Sequence, residues 1–169
     1  MKTRTVAVID IGTSSVRMAL ADLDEKGSIR FLEKLNQSVR LGQDVFSKGR
    51  IRRSTVENCV RILESFQQVM KEYQVSSGDI RAVASSAVQE ASNREAFLDR
   101  VAMATGIEIE VVDEAEATRL TYLSVLPFLK DKRHTTSAHT LVMEVGGGRT
   151  ELLRLRNEHI QDTRVIRLG

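Results

Sequence analysis

The stretch Val142–Leu152, VMEVGGGRTEL, sets three consecutive glycines between an apolar run and a second polar–apolar alternation. The chain has 10 glycines in 169 residues, so the concentration needs a physical reason. Glycine weakens a strand, and it is kept where backbone turns sharply or approaches another group closely. The pattern reads strand, acidic residue, glycine turn, strand, with Glu144 ending the first strand. Near the N-terminus, Ile9–Arg17, IDIGTSSVR, repeats it: Asp10 ends an apolar run, Gly12 opens the turn, and Thr13, Ser14 and Ser15 follow. Two such turns, far apart in the chain, predict two similarly built lobes.

The segments between them agree with an α/β sheet. Residues 4–12 form a near-continuous apolar run, and 15–23 and 28–39 alternate well enough to be two further strands, joined by the turn Asp24–Gly27. From Ser54 to Tyr73 apolar residues recur at helical spacing. A short strand at 79–84 runs into a loop. Asn93 is placed to N-cap a helix reaching Thr105, with Gly106 just beyond its end. A strand at 107–112 precedes a helix that Asp113 caps and Pro127 is expected to stop near Leu126. Three strand-like segments complete the chain. Strands alternating with helices indicate parallel strands inside a sheet. The expected division is a first lobe over 1–134 and the beginning of a second over 135–169, which looks truncated.

Composition narrows the function class. Hydrophobic content of 41% and charge of 28% suit a soluble globular protein. No run approaches the roughly 20 apolar residues of a membrane span, and the N-terminus lacks the features of a signal peptide. One cysteine, Cys59, excludes an internal disulfide and suggests a cytoplasmic setting, with the thiol packed in a helix. A net charge of +2 and 4% aromatic content give no support for nucleic acid. The one local basic block is Lys48, Arg50, Arg52 and Arg53, which reads either as a solvated helix start or as a track for a long polyanion.

The two turns carry the chemistry. Backbone N–H groups at Gly12–Ser15, with the hydroxyls of Thr13, Ser14 and Ser15, are suited to surround a phosphate, and Arg17 adds a forked cationic donor. Asp10 would hold a divalent cation or a water beside the anion. In the second turn Gly146, Gly147 and Gly148 permit close approach, Thr150 offers a hydroxyl, and Glu151 adds a carboxylate to Glu144. Together they suggest a cleft that grips one phosphate from two sides. No Gly-Lys-Ser/Thr and no Gly-x-Gly-x-x-Gly occurs, so this is not a Walker A or dinucleotide loop. His134, His139 and His159 lack the partners of a zinc site. Ser85 and Ser86 lack a nucleophile elbow.

Taken together, AVIDIGTSSVRM (7–18), AVASSAVQEASN (82–93), VVDEAEATRLTYLSV (111–125), VMEVGGGRTEL and the closing RVIRLG (164–169) resemble the exopolyphosphatase/guanosine pentaphosphate phosphohydrolase family. That family belongs to the actin-like ATPase superfamily, whose lobes are ribonuclease-H-like. The resemblance implies magnesium-assisted hydrolysis of phosphoanhydride bonds in polyphosphate or guanosine pentaphosphate. Carried over by position, Asp10, Gly12, Ser15 and Arg17 match the family's first phosphate turn, and Gly146–Gly148, Thr150 and Glu151 match its second, with Glu144 where the family usually has Asp. The expected phosphate site therefore takes Gly12, Thr13, Ser14, Ser15, Arg17 and residues 146–150, and the expected metal site Asp10, Glu144 and Glu151, the last also a catalytic candidate. Relatives are longer, so dimerisation through the last strands, or disorder there, is expected of a fragment.

Four positions depart from the family pattern. Glu144 stands where the family usually has Asp, which lengthens a metal-ligand arm by one methylene. The catalytic base falls in register on Ala117, which accepts no proton; Glu114, three residues earlier on roughly the same helix face, is the better stand-in, and Glu116, rotated by roughly 100°, the other, although acids in a first helical turn also simply complement the dipole. Gln89 replaces a phosphate-binding arginine. Arg149 replaces a small hydroxyl residue and would either restore the charge or plug the site. A competing expectation is therefore a module that binds polyphosphate or alarmone nucleotides without cleaving them. A superfamily kinase is disfavoured, because its adenosine site would lie later in the second lobe.

Overall fold

The alternation of residues 4–11 is realised as β1 (Arg4–Ile11), whose Ala7, Ile9 and Ile11 are wholly buried while Val8 points the other way. The computed structural model describes residues 3–84, 86–130 and 139–168. Ser85, His134 and the expected lobe boundary at 134/135 lie outside the described residues. By packing, the chain forms two units, Met1–Val111 and Val112–Gly169.

In the first unit β1 pairs antiparallel with β2 (Ser15–Leu23), and β2 pairs antiparallel with β3 (Ile29–Ser38). After α1 (Leu41–Lys48) and α2 (Arg53–Glu72), a turn of 3-10 helix at Ser77–Asp79 leads into β4 (Ile80–Ala84), parallel to β1. Then come α3 (Ser86–Glu90), α4 (Arg94–Thr105) and β5 (Ile109–Val111), parallel to β4. The resulting mixed sheet has the order β3-β2-β1-β4-β5. Its core joins Ile9, Ile11 and Leu20 to Leu63 and Phe66 of α2 and to Phe97 and Val101 of α4. Cys59 belongs to this core, and burial, with the charge of Asp44 adding to it, pushes its thiol up to about 12. The packed-thiol expectation holds.

The second unit consists of α5 (Glu114–Lys130) and an antiparallel sheet of β6 (His139–Val145), β7 (Thr150–Arg156) and β8 (His159–Ile166). Leu153 and Leu155 of β7 are buried with Leu129, against Tyr122, Val125 and Val142. Three local expectations need correction. Pro127 does not end the helix, which runs through it to Lys130; proline removes one N–H near the helix end, and the buried Leu129 keeps the last turn packed. The segment after β4 is the short helix α3 rather than a loop. Asn93 occupies the N-cap position of α4 without capping it through its side chain, because its amide pairs with Ile51 instead.

Candidate functional site

Each glycine turn is closed in the same way. Gly12 N–H donates to the Ser15 carbonyl at 2.9 Å, and Gly146 N–H donates to the Arg149 carbonyl at 2.8 Å. Asp10 lies directly opposite Arg17, as Glu144 lies opposite Glu151. A Cβ on either Gly12 or Gly146 would stand 3.3 Å from the carbonyl that closes its turn, so both positions favour glycine. The two hairpins thus match residue for residue, and they differ in charge.

The first turn suits an anion. Arg17 is exposed, and its Nε donates to the Ser15 hydroxyl at 3.1 Å. A carbonyl facing a phosphate would repel it, and here two carbonyls are held by other donors. Val39 N–H donates to Ser14 O at 2.9 Å, and Gly42 N–H donates to Thr13 O at 2.7 Å. The start of α1 therefore braces the turn. Asp44, 2% exposed, anchors α1 in return: it accepts from Arg52 N–H at 3.0 Å and from the Thr55 hydroxyl at 2.6 Å, and it pairs with Arg52 Nε at 3.0 Å. Gly42 is tight for a side chain, since a Cβ would lie 3.1 Å from both Thr13 Cβ and the Phe46 ring and would need these to give by a few tenths of an ångström. Gly42→Ala suits a helix backbone but pushes Thr13. It is expected to weaken tripolyphosphate binding severalfold in a titration while leaving helical circular dichroism unchanged. Gln89, where the family pattern has arginine, is exposed on α3.

The second turn suits a cation. Like charges directly opposed across antiparallel strands repel, yet Glu144 and Glu151 occupy such a pair. Glu151 is 2% exposed. Its carboxylate accepts hydrogen bonds from the Thr118 hydroxyl and from Thr121 Oγ1 at 3.3 Å, both on α5. The same Thr121 hydroxyl lies 2.5 Å from Glu144 Oε2, so one proton serves two carboxylates. Thr118 and Thr121 were missed from the sequence; spaced three apart on one helix face, they differ from ordinary surface threonines only once α5 lies on the sheet. The Thr150 hydroxyl donates to Leu168 O at 2.7 Å instead of standing open for a ligand. Gly146 and Gly147 are exposed, and Gly148 and Arg149 are half-buried.

At the start of α5, Asp113 Oδ1 accepts Glu116 N–H at 2.8 Å, the expected cap. Glu116 is held by Arg119 through two bonds of 2.7 and 2.8 Å. The Arg119 guanidinium keeps the Glu116 carboxyl below its ordinary range. Glu114 is exposed, one helical turn before Thr118 and on the same face. Ala117 is half-buried.

A model of the Ppx/GppA phosphatase family matches residues 20–169. The chain belongs to the Ppx/GppA phosphatase family. The matched span contains the Glu144–Glu151 hairpin and begins just after the first turn. Among Ppx/GppA relatives, exopolyphosphatase 1 of Mycobacterium tuberculosis is 26% identical over 149 residues, which cover 87% of this chain and 41% of that protein. The crystal structure of the Aquifex aeolicus Ppx/GppA family member is similar with a TM-score of 0.79 and 28% identity, over 99% of this chain and 52% of that one. An exopolyphosphatase from Cytophaga hutchinsonii shares the fold, with a TM-score of 0.86 at 24% identity over 98% of this chain and 51% of that one. The chain thus spans about half or less of the length of these relatives. The chain shares with these Ppx/GppA structures a mixed α/β architecture, a five-stranded mixed sheet with flanking helices.

Magnesium is the metal the family resemblance implies. Among the described residues no group of three or more His, Cys, Asp or Glu side chains gathers as a ready-made metal cage. Magnesium is commonly held by only one or two carboxylates together with substrate phosphates. Glu144 and Glu151, opposed and sharing one hydroxyl proton, fit that demand.

Proposed function

We propose that this chain carries the phosphate-binding and carboxylate groups of a phosphoanhydride hydrolase acting on inorganic polyphosphate or on guanosine pentaphosphate. The observation that carries the reading is the buried Glu151 opposite Glu144, bridged by Thr121. In the reaction, water attacks a terminal phosphorus, the P–O bond to the bridging oxygen breaks, and orthophosphate leaves. Magnesium, when held by Glu144 and Glu151 with phosphate oxygens, would offset the negative charge of the polyanion. The Gly12–Ser15 turn and Arg17 orient phosphate oxygens, and the brace from α1 keeps the carbonyls of that turn turned away. Thr118 and Thr121 fix the rotamer of Glu151, so that its carboxylate need not reorganise when a ligand arrives.

The water must lose a proton, and Ala117 cannot take it. Glu114 is the better substitute, since it lies one turn from Thr118, whereas the Glu116 carboxylate is clasped by Arg119. Phosphate release from long-chain polyphosphate and from guanosine pentaphosphate, assayed with magnesium, tests the reading. Glu114→Gln is expected to lower release by about 10²-fold, and Glu116→Gln to leave it near the unsubstituted level. Loss in both variants would show that the Arg119 clasp opens in catalysis.

The second reading, binding without cleavage, is favoured by Ala117 together with the occupied Glu116. Polyphosphate retained on the protein with no phosphate released would select it.

A further inference from the structure

Lys48, Arg50, Arg52 and Arg53 fall within six residues, between the end of α1 and the first turn of α2. This segment is held firmly. Ile51 at its centre is 1% exposed. Asn93 clamps it with both ends of its amide: Nδ2 donates to Ile51 O at 2.9 Å, and Ile51 N–H donates to Oδ1 at 2.8 Å. Ser92 N–H adds a bond to Gly49 O at 2.9 Å. The clamp seats Arg94, next in sequence to Asn93, beside the same segment.

The fold accounts for only part of this charge. Arg52 serves the buried Asp44. Arg94 pairs with its exposed neighbour Glu95, a contact worth little in water. Lys48 and Arg50 are exposed and have no ion-pair partner among the described residues. Arg52 and Arg53 also stand at the positive end of a 20-residue helix whose first turn holds no acidic residue. Cations there oppose the helix dipole; the buried Asp44 holds Arg52 in place, whereas Arg53 has only the surface charge of Glu57 one turn on to offset that cost.

The patch and the first turn are linked through α1. At its start Gly42 bonds Thr13, with Arg40 exposed at the N-cap; at its end Gly49 closes the helix beside Lys48 and Arg50. Eight helical residues put these ends about 12 Å apart. Cations therefore stand at both ends: Arg17 and Arg40 by the turn, and Lys48, Arg50, Arg53 and Arg94 at the far end.

We propose that the Lys48–Arg53 segment with Arg94 is a second binding site for linear polyphosphate, engaging phosphates remote from the reacting end and selecting long chains over guanosine pentaphosphate. The choice of ligand rests on the hydrolase reading above. A flexible chain with a charge on every phosphate needs no shaped pocket, only cations spaced along its path, and its binding releases counterions and weakens with salt. A triphosphate seated at the first turn is too short to touch both ends of α1.

The test compares Lys48→Gln/Arg50→Gln with the unsubstituted chain, titrating long-chain polyphosphate and tripolyphosphate at several salt concentrations. Both side chains are exposed, and thermal unfolding verifies that the fold is kept. The expected result is long-chain affinity reduced roughly tenfold, with a salt slope shallower by about two and tripolyphosphate affinity unchanged. Unchanged long-chain affinity, an equal fall for both ligands, or no long-chain binding by the unsubstituted chain would overturn the proposal. Failure of the hydrolase reading is separately visible as absence of phosphate release, which leaves this binding comparison intact.

Discussion

Glu151→Gln is expected to lower phosphate release from polyphosphate by roughly 10²-fold or more without lowering thermal stability. The two halves of this expectation have one cause. Glu151 is buried opposite a second carboxylate and receives only hydroxyl hydrogen bonds among the described residues. That arrangement is poor for an unliganded fold, because like charges in adjacent cross-strand positions repel. It is a good one for attracting a divalent cation. Glutamine keeps the shape, removes one of the two charges, and relieves the repulsion, so the melting temperature should stay level or rise. Residues kept at some expense to stability are the usual mark of a functional site. Release measured with magnesium, beside a melting curve, checks both halves. Near-normal release in the variant would remove Glu151 from the chemistry, and a large drop in melting temperature would make it a structural residue.

Phe66→Ala is expected to destabilise the first unit by about 3–5 kcal/mol. Phe66 is 1% exposed on α2 and packs in one cluster with Ile9, Leu63 and Phe97. Truncation removes most of a large apolar side chain from a close-packed interior, and the neighbours, themselves on strands and helices, can collapse only partly into the space. Denaturant unfolding followed by circular dichroism reads the change. Leu153 and Leu155 form a separate cluster in the second unit, so their packing should be untouched. A loss below about 1 kcal/mol would mean that the core closes around the gap.

Much of the architecture was legible from residue pattern. β1 and β2 appear as runs of buried residues in strand periodicity, and the apolar stripe of α2 falls on Val56, Cys59, Val60, Leu63, Phe66 and Met70, all buried. The paired glycine turns could be read because their requirement is local, a backbone that closes on itself within four residues. The helix α1 was not legible: it is only eight residues long, its buried face mixes Leu41 and Val45 with Gly42 and Asp44, and it is held by Asp44 and by its contact with the first turn. Asn93 shows the same limit. Its type and place suggested a helix cap, but its amide found a better partner 42 residues away.

The sequence by itself determined the family, the strands and longer helices and the two acid–glycine hairpins, because each of these depends on residues close together in the chain. Tertiary structure alone decided which partners the acids have. Helix geometry already favoured Glu114 over Glu116, but only the structure shows Arg119 holding Glu116, and Thr118 and Thr121 had no distinction until α5 laid them against Glu151 and Glu144. The partner of Thr118 lies 33 residues further on. No local period encodes that distance. It is set by how the helix rests on the sheet, which follows from burying Leu129, Leu153 and Leu155 together.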